Sequence, residues 1–215
     1  MVEVVETVGL PRLGAPAPSF VAQTTQGTLT LDDFRGRWLV LFSHPADFTP
    51  VCTTEFIAFA GIYDELQSRG VDLLGLSIDS VYSHIAWLRN IEEKGGVKIP
   101  FPVIADLNKV VATAYGMVHP DQSNTEAVRC VFIIDPEQIV RAMLYYPLSA
   151  GRNTWEIVRL IDALQMTDQD NVATPANWHP GEDVILPAPI TQEGAEERLG
   201  EGYDCTDWYL CRKKA

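Results

Sequence analysis

The sequence predicts an α/β protein with a mixed central β-sheet flanked by helices and followed by a C-terminal arm. Short apolar runs alternate with segments of helical periodicity over the first two-thirds of the chain, which favours a sheet with helices on both faces. Two successive strand patterns close this part, and such a hairpin adds antiparallel pairing to the sheet. From about Thr167 onward little regular periodicity remains, which indicates a separate arm.

The first half of the predicted sheet begins at residue 38. Trp38–Ser43 is a short apolar run typical of a buried strand, and a loop over 44–50 follows it. The next helix ends at Arg69-Gly70, and its apolar residues recur at helical spacing: Phe56, Phe59, Ala60, Tyr63 and Leu66. A strand over 71–78 and a helix over 81–92, ended by Gly95-Gly96, complete this half.

The second half of the predicted sheet closes with a hairpin and a helix. A strand over 102–105 and a helix over 109–115 precede two strands over 130–134 and 139–145, joined by the turn sequence Asp135-Pro136-Glu137-Gln138. A last helix begins at Asn153, with Glu156 three residues later as in a capping box. Its apolar face comprises Ile157, Leu160, Ile161 and Leu164. The order β-α-β-α-β-α-β-β-α suits a thioredoxin-like fold.

The change near residue 167 predicts a domain over 1–167 and an arm over 168–215. The arm contains four prolines and several acids, together with large aromatic side chains at Trp178, Tyr203, Trp208 and Tyr209. Because such groups are costly to leave in water, we expect the arm to pack on its own body or, as we favour, on a second subunit. A disordered tail is the alternative.

Composition and charge exclude several classes of protein. The chain has 215 residues, 47% of them hydrophobic, and no apolar stretch approaches the roughly 20 residues of a membrane span. A net charge of -13 without basic patches disfavours nucleic acid and anionic membranes as partners. Acids at Glu3 and Glu6 stand where a secretory signal has basic residues. Four scattered cysteines do not form a disulfide-stapled secreted framework, so a cytoplasmic location is expected.

The segment over 44–55 carries the chemistry. It follows a buried strand and opens a helix, so Cys52 falls in or near the first helical turn. Unpaired N–H groups and the helix dipole favour an anion there, and the thiolate is the form of cysteine that attacks. A lone cysteine also fits a small buried apolar residue. The two prolines, three threonines and one glutamate crowded around this thiol favour a chemical role.

These residues resemble a known family. The pattern Pro45-x-x-x-Thr49-x-x-Cys52 is similar to the signature of peroxiredoxins, and the longer run over 42–55 resembles their one-cysteine branch. The similarity continues over 75–80, 99–102, 131–135 and 151–153 and in the C-terminal arm, so it covers nearly the whole chain. The resemblance implies a thiol-dependent peroxidase that reduces hydrogen peroxide and small alkyl hydroperoxides, with no metal, haem or flavin.

The resemblance also implies roles for four residues. Cys52 would be the peroxidatic nucleophile, whose thiolate attacks the peroxide and becomes a sulfenic acid. Thr49 would hold the peroxide with its hydroxyl group, and Pro45 would shield the sulfur from water. Arg129, just before a predicted strand, would lie beside the thiolate and stabilise it with a fixed positive charge.

Three supporting residues follow from the same resemblance. Arg152 matches a second arginine of the family, and Glu55 would orient both guanidinium groups through carboxylate pairs. Taken alone, either arginine would be interpreted as part of a surface salt bridge. His44 is similar to the pocket histidine of this branch, which would bond the thiolate or its oxidised forms; a packed histidine without a role is the alternative.

The other cysteines divide into one core residue and one pair. Cys130 falls inside a predicted buried strand and is interpreted as structural. Cys205 and Cys211 lie six residues apart, and archaeal-type members of the branch carry such a pair. The resemblance implies that Cys211 or Cys205 captures the sulfenic acid of Cys52 from a neighbouring subunit. We favour Cys211, with which Cys205 would then exchange. An inert or structural pair is the alternative, and a zinc site is disfavoured because no Cys-x-x-Cys occurs.

The partners implied by the resemblance are a peroxide, a thiol reductant such as a thioredoxin-like protein, and further copies of this chain in a homodimer or a ring of dimers. Some one-cysteine relatives have a Gly-x-Ser-x-Gly segment before the first active-site strand and resemble lipid hydrolases. Here that place reads Phe34-Arg35-Gly36-Arg37-Trp38, so phospholipase activity is not expected. Two other hypotheses stay open: a holdase-like or redox-sensing assembly using Cys52 as sensor, and a disulfide oxidoreductase.

Overall fold

The computed structural model describes residues 10–215, so the acidic segment over 1–6, on which the expectation about secretion rests, lies outside the described residues. A first unit ends at Thr154, and a second unit spans Trp155–Ala215. The strands of the first unit are β1 (Val21–Thr24), β2 (Gly27–Thr30), β3 (Trp38–Ser43), β4 (Val71–Ser77), β5 (Val103–Ala105), β6 (Arg129–Ile134) and β7 (Val140–Tyr146). Its helices are α1 (Pro50–Gly61), α2 (Tyr63–Ser68), α3 (Val81–Gly95) and α4 (Val110–Ala114), with a 3₁₀ helix at Leu31–Phe34.

The seven strands form one mixed sheet in the order β2-β1-β5-β4-β3-β6-β7. β3 pairs in parallel with β4, and β4 with β5, whereas β6 runs antiparallel to both β3 and β7. The predicted mixed sheet is therefore confirmed. Every residue of β3, β4 and β6 is buried, because these strands lie in the interior of the sheet. Such strands read as continuous apolar runs, which explains why the sequence identified them.

Helices cover both faces of this sheet. Leu41 of β3 belongs to a core that includes Phe20, Tyr115 and Val111 of α4. The next residue, Phe42, points to the opposite face and packs on α1, where its ring stacks on that of Phe59 with centroids 4.1 Å apart. Successive side chains of β3 thus pack against helices on opposite faces of the sheet, as predicted for a central sheet flanked by helices.

The helix predicted to run to Arg69-Gly70 is two helices. The backbone of Ile62 leaves the helical region (φ −102°, ψ 3°), and its N–H donates to both Ala58 and Phe59 in a tightened last turn. The apolar spacing continues across this break, so the pattern alone did not reveal it. The predicted glycine stop is confirmed, since Gly70 has φ 69° directly after the chain leaves α2.

The N-terminal hairpin of β1 and β2 was not predicted. Its strands are four residues each, polar, and partly exposed at the edge of the sheet. The hairpin between β6 and β7 was predicted correctly. Asp135 closes its turn by accepting from the N–H groups of Glu137 and Ile139, at 3.1 and 2.8 Å. Gln138 adopts φ 66° in that turn.

The second unit contains secondary structure that the sequence did not indicate beyond its first helix. Its elements are α5 (Thr154–Asp170), β8 (Val184–Ile185), α6 (Gln192–Arg198), β9 (Asp204–Asp207) and β10 (Leu210–Lys213). Three strands form an antiparallel sheet in the order β8-β10-β9. Trp178 is buried in a cluster with Ala163, Val172 and Val184, so the second unit has a small core. No helix among residues 10–215 combines the length and apolar character needed to cross a membrane.

Candidate active site

Cys52 is the third residue of α1 and is fully buried. β3 ends at Ser43, and the loop that follows returns the chain to begin α1 at Pro50, whose fixed φ suits a first helical position. Thr49 caps the helix with an extended backbone (φ −102°, ψ 147°), but its side chain does not bond to the first turn. Its hydroxyl instead donates to the carbonyl of Ala46 at 2.8 Å. Cys52 thus lies in the first turn of α1, where the positive end of the helix dipole acts.

Arg129 lies beside this sulfur. It is the first residue of β6, and antiparallel pairing with β3 brings it to the end of the sheet where α1 begins. Its Nη1 donates to Sγ of Cys52 at 3.3 Å and to Oε2 of Glu55 at 2.7 Å. Its Nε donates to the carbonyl of Leu148 at 2.9 Å, which fixes the plane of the guanidinium group. The structure thus brings together Cys52 and Arg129, separated by 77 positions in the chain.

Glu55 connects the two predicted arginines. Its Oε1 accepts from Nε of Arg152 at 2.8 Å, and its Oε2 accepts from Nη2 of Arg152 and Nη1 of Arg129, both at 2.7 Å. Burial raises the pKa of Glu55, but the hydrogen bonds and charge of Arg152, together with the charge of Arg129, outweigh it and hold this pKa below its ordinary value. The buried cluster is two cations around one anion, with a net positive charge next to Cys52.

Arg152 also ties the site to the sheet. Its Nη1 donates to the carbonyl oxygens of Ser43 at 2.8 Å and Cys130 at 2.9 Å. Its guanidinium carbon lies 5.1 Å from the ring centroid of Phe42 and 5.3 Å from that of Phe59. A buried arginine with these partners is a fixed part of the frame. The interpretation of either arginine as part of a surface salt bridge is wrong.

The loop between β3 and α1 is held in an unusual conformation. Pro45 is buried, whereas Phe48 is exposed and adopts φ 55°, a region that bulky side chains rarely enter. Bonds on both sides fix this turn: the N–H of Asp47 donates to Oδ2 of Asp79 at 3.0 Å, and Thr49 bonds to Ala46. Strain of this kind persists where the surroundings over-determine the backbone, as in many active-site loops.

His44 belongs to a buried cluster that the sequence did not reveal. Its Nε2 lies 3.0 Å from Oδ1 of Asp47, and Nδ1 of His84 lies 2.9 Å from Oδ2 of the same carboxylate. Burial lowers the pKa of His44. The partner His84 lies in α3, and no signal in the sequence marked it as a member of this cluster. Among residues 10–215 this trio is the one group with metal-ligand chemistry, its ligand atoms lying within 4.8 Å of one another.

The remaining cysteines have contrasting surroundings. Cys130 is buried in β6, with its Sγ 3.0 Å from Oγ of Ser43, and burial raises the pKa of this thiol to about 11. Cys205 and Cys211 face each other across β9 and β10 and form a disulfide bond with S–S 2.05 Å. Cys211 is buried and Cys205 is partly exposed. The pair predicted to exchange with one another is thus within bonding distance.

A buried cysteine at a helix N-terminus, touched by a guanidinium group on a thioredoxin-like sheet, defines a cysteine-dependent oxidoreductase. Comparison with known proteins narrows this class. Residues 13–143 match the AhpC/TSA family, and residues 163–202 match the C-terminal domain of 1-Cys peroxiredoxin. The chain belongs to the peroxiredoxin family.

Individual relatives match over nearly their whole length. A peroxiredoxin of Aquifex aeolicus is 59% identical, covering 97% of this chain and 99% of the relative. A peroxiredoxin of Methanosarcina mazei is 56% identical, covering 95% of this chain and 98% of the relative. Among solved structures, a yeast mitochondrial 1-Cys peroxiredoxin, whose thiol resolution is described as proceeding via glutathione/thioredoxin systems, is 42% identical with a TM-score of 0.84, covering 96% of this chain and all of that one.

These findings confirm the predicted fold and activity. The chain is a thiol-dependent peroxidase, which reduces a peroxide with electrons from a thiol reductant. The hypothesis of a holdase-like or redox-sensing assembly without turnover is not favoured by this family membership.

Proposed function

We propose that Cys52 is the peroxidatic nucleophile of this enzyme and that its substrates are hydrogen peroxide and small alkyl hydroperoxides. The observation that carries this assignment is the 3.3 Å contact between Sγ of Cys52 and Nη1 of Arg129 in the first turn of α1. The guanidinium charge and the helix dipole both favour the thiolate, which is the attacking form.

The contacts support a role for each neighbour in the reaction. The thiolate attacks one peroxide oxygen, the O–O bond breaks, and the second oxygen leaves as water or alcohol after taking a proton, so that Cys52 becomes a sulfenic acid. Thr49 uses its hydroxyl hydrogen on Ala46, which leaves its oxygen free to accept the O–H of a peroxide. Arg129 stabilises charge on the leaving oxygen, and Glu55 and Arg152 hold Arg129 in place.

We further propose that the C-terminal pair completes the cycle. The thiol of Cys211 from a neighbouring subunit attacks the sulfenic sulfur of Cys52 and releases water. Cys205 then attacks Cys211, which frees the Cys52 thiolate and forms the Cys205–Cys211 disulfide, the bond found in the structure. A dithiol reductant, by analogy with the glutathione/thioredoxin systems named for the yeast relative, returns the pair to thiols.

The proposed assembly is a homodimer or a ring of dimers in which the arm over 168–215 packs on a second subunit beside the peroxidase domain over 1–167. Its support is the exposure of large aromatic side chains in the arm: Tyr203, Trp208 and Tyr209 keep 42, 38 and 54% of their surface. The cytoplasm is the proposed location, because this cycle needs a compartment in which thiol reductants are maintained.

Peroxide consumption under excess dithiothreitol tests the assignment. We expect Cys52→Ser to abolish turnover and Cys211→Ser to retain it, because dithiothreitol can reduce the sulfenic acid directly. Cys130→Ser is the matched control, a second buried cysteine whose removal leaves turnover intact. Near wild-type turnover by Cys52→Ser would show that another residue is the nucleophile. With a thioredoxin-like reductant in place of dithiothreitol, Cys211→Ser is expected to lose turnover.

A further inference from the structure

The two ring nitrogens of His84 both face hydrogen-bond acceptors. Its Nε2 lies 3.1 Å from the carbonyl oxygen of Ile104 in β5. Its Nδ1 lies 2.9 Å from Oδ2 and 3.0 Å from Oδ1 of Asp47. A neutral imidazole donates through only one nitrogen, so one of these contacts requires an additional proton. That proton is either on His84, which makes an imidazolium, or on the carboxyl group of Asp47.

Charges around the cluster place the proton on His84. An aspartic acid normally gives up its proton at about pH 4 and an imidazolium at about pH 6.5. Burial raises the pKa of Asp47, but hydrogen bonds from His44 and His84 and their charges lower it well below its ordinary value. The dipole at the start of α3 opposes a cation, yet it amounts to about half a charge against a full carboxylate at hydrogen-bond distance. Asp79 accepts from the N–H of Asp47 and adds further negative charge.

His44 is then the neutral member of the trio. Its Nε2 donates to Oδ1 of Asp47, and a second cation would lie close to His84, the two ring centroids being 6.0 Å apart. Nδ1 of His44 therefore carries a lone pair, and this fully buried atom has no hydrogen-bond partner among residues 10–215. A buried unpaired acceptor calls for an explanation, such as a donor that is present at another stage of a reaction.

The position of the His44 ring indicates which donor that is. The ring packs on Phe56 with centroids 4.8 Å apart. Phe56 is four residues after Cys52 in α1, so the two side chains share one face of the helix. The ring of His44 therefore packs on the face of α1 that also carries Cys52. An incoming peroxide and the sulfenic acid formed at Cys52 each carry an O–H that Nδ1 of His44 can accept.

We propose that His84 is a positioning residue for the peroxidase reaction: its imidazolium, acting through Asp47, holds His44 as the neutral Nε2–H tautomer with Nδ1 open to an O–H donor. This inference rests on the proposed role of Cys52. Without His84, the buried carboxylate of Asp47 has only His44 left to balance it. Burial disfavours a positive charge on His44, so the carboxyl group takes up a proton instead and donates it to Nε2 of His44. The ring proton of His44 then lies on Nδ1, which can no longer accept from the oxidised sulfur or the peroxide.

Nitrogen NMR of histidine-labelled protein reads this arrangement directly, because protonated and bare ring nitrogens have well-separated shifts. We expect His84 of the wild type at neutral pH to have both nitrogens protonated and His44 to have only Nε2 protonated. In His84→Gln, His44 is expected to have only Nδ1 protonated. His119→Gln is the matched control, because His119 bonds to the carbonyl of Gly116 and stacks on Tyr145, outside the cluster of His44, Asp47 and His84. This variant is expected to leave the ring-nitrogen signals of His44 and His84 unchanged. A wild-type His84 with a bare Nδ1 would overturn the proposal without any variant.

Stopped-flow oxidation of Cys52 provides the functional readout. We expect His84→Gln to slow sulfenic acid formation at neutral pH by about tenfold or more, since loss of the correct histidine tautomer has large effects in other enzymes. The rate is expected to recover as pH rises and the carboxyl group of Asp47 loses its added proton. A uniform loss at every pH would assign His84 a merely structural role. The NMR result does not depend on turnover, so a failure of the Cys52 assignment, tested by Cys52→Ser, is distinguishable from a failure of this inference.

Discussion

Cys52 and Cys130 are equally buried, yet their surroundings predict opposite reactivity. Both side chains have no exposed surface. Sγ of Cys52 accepts from the guanidinium group of Arg129 at 3.3 Å, whereas Sγ of Cys130 lies 3.0 Å from the neutral hydroxyl of Ser43. Burial raises the pKa of Cys130 to about 11, so this thiol stays protonated at neutral pH. The comparison predicts that a charged contact, and not accessibility, distinguishes a reactive thiol from an inert one in this fold.

The largest expected effect comes from Glu55→Gln, which removes the anion between Arg129 and Arg152. Both cations then remain buried with no carboxylate, and losing one partner of such a cluster typically costs about 3–5 kcal/mol of unfolding free energy. Urea unfolding measures this loss. The control is Glu65→Gln, whose partner Arg69 forms an exposed helical pair; we expect less than about 0.5 kcal/mol there.

For Glu55→Gln we also predict how the loss of unfolding free energy depends on pH. Because the pKa of Glu55 is below its ordinary value of 4.5 in the folded protein, its stabilising contribution is fully present above that pH. It is lost as pH falls from 4.5 through the lower folded value. The difference in unfolding free energy between wild type and Glu55→Gln is therefore expected to be largest near neutral pH and to shrink below pH 4.5. A difference that stays constant into acid would contradict the buried ion cluster.

A second effect is expected from Arg129→Met, which makes the surroundings of Cys52 resemble those of Cys130. Glu55 keeps Arg152, so the fold is retained, but the sulfur loses its charged donor. The rate of sulfenic acid formation should fall about 10²–10³-fold, as for the loss of one preorganised donor in other enzymes. Stopped-flow kinetics measures it, with Arg141→Met at the Asp135 pair as control. A rate within threefold of wild type would show that the helix terminus alone activates Cys52.

The smallest effect is expected from Cys130→Ala. Turnover should stay within about twofold of wild type, and unfolding free energy should fall by about 1 kcal/mol through the lost contact with Ser43. Alkylation with iodoacetamide at neutral pH, read by mass spectrometry, should label Cys52 and leave Cys130 unmodified. Modification of Cys130 in the folded protein would erase the distinction between the two thiols.

The sequence predicted the parts of the molecule where one local signal is sufficient. β3, β4 and β6 were identified because buried strands are continuous apolar runs. The position of Cys52 in the first turn of α1 was predicted from the strand and helix patterns around it. Helix bounds failed at Ile62, where a change in backbone angles leaves the apolar spacing intact. The sheet of the second unit was missed because its strands are only two to four residues long, too short to show a strand pattern.

Contacts between segments far apart in the chain could not be predicted from the sequence, for a different reason. The family resemblance named Arg129, Arg152 and Glu55, but the register of β6 against β3 decides that they meet. Nothing in the chain marked His84 as the partner of Asp47, 37 positions away, because a histidine in a helix has no distinguishing pattern. Long-range polar networks depend on the finished fold, which is why they are the last features to be predicted.

The two carbonyl contacts of Arg152 have a consequence for engineering. By bonding to the carbonyls of Ser43 and Cys130, this side chain joins the end of β3 to β6, in addition to holding Glu55. The site around Cys52 therefore cannot be transferred to another protein by grafting only the β3–α1 loop and α1. A host scaffold would have to supply two neighbouring strands with those carbonyl groups at matching positions. Without them, Arg152 would lose two of its hydrogen bonds and would no longer hold Glu55 and Arg129 in place beside Cys52.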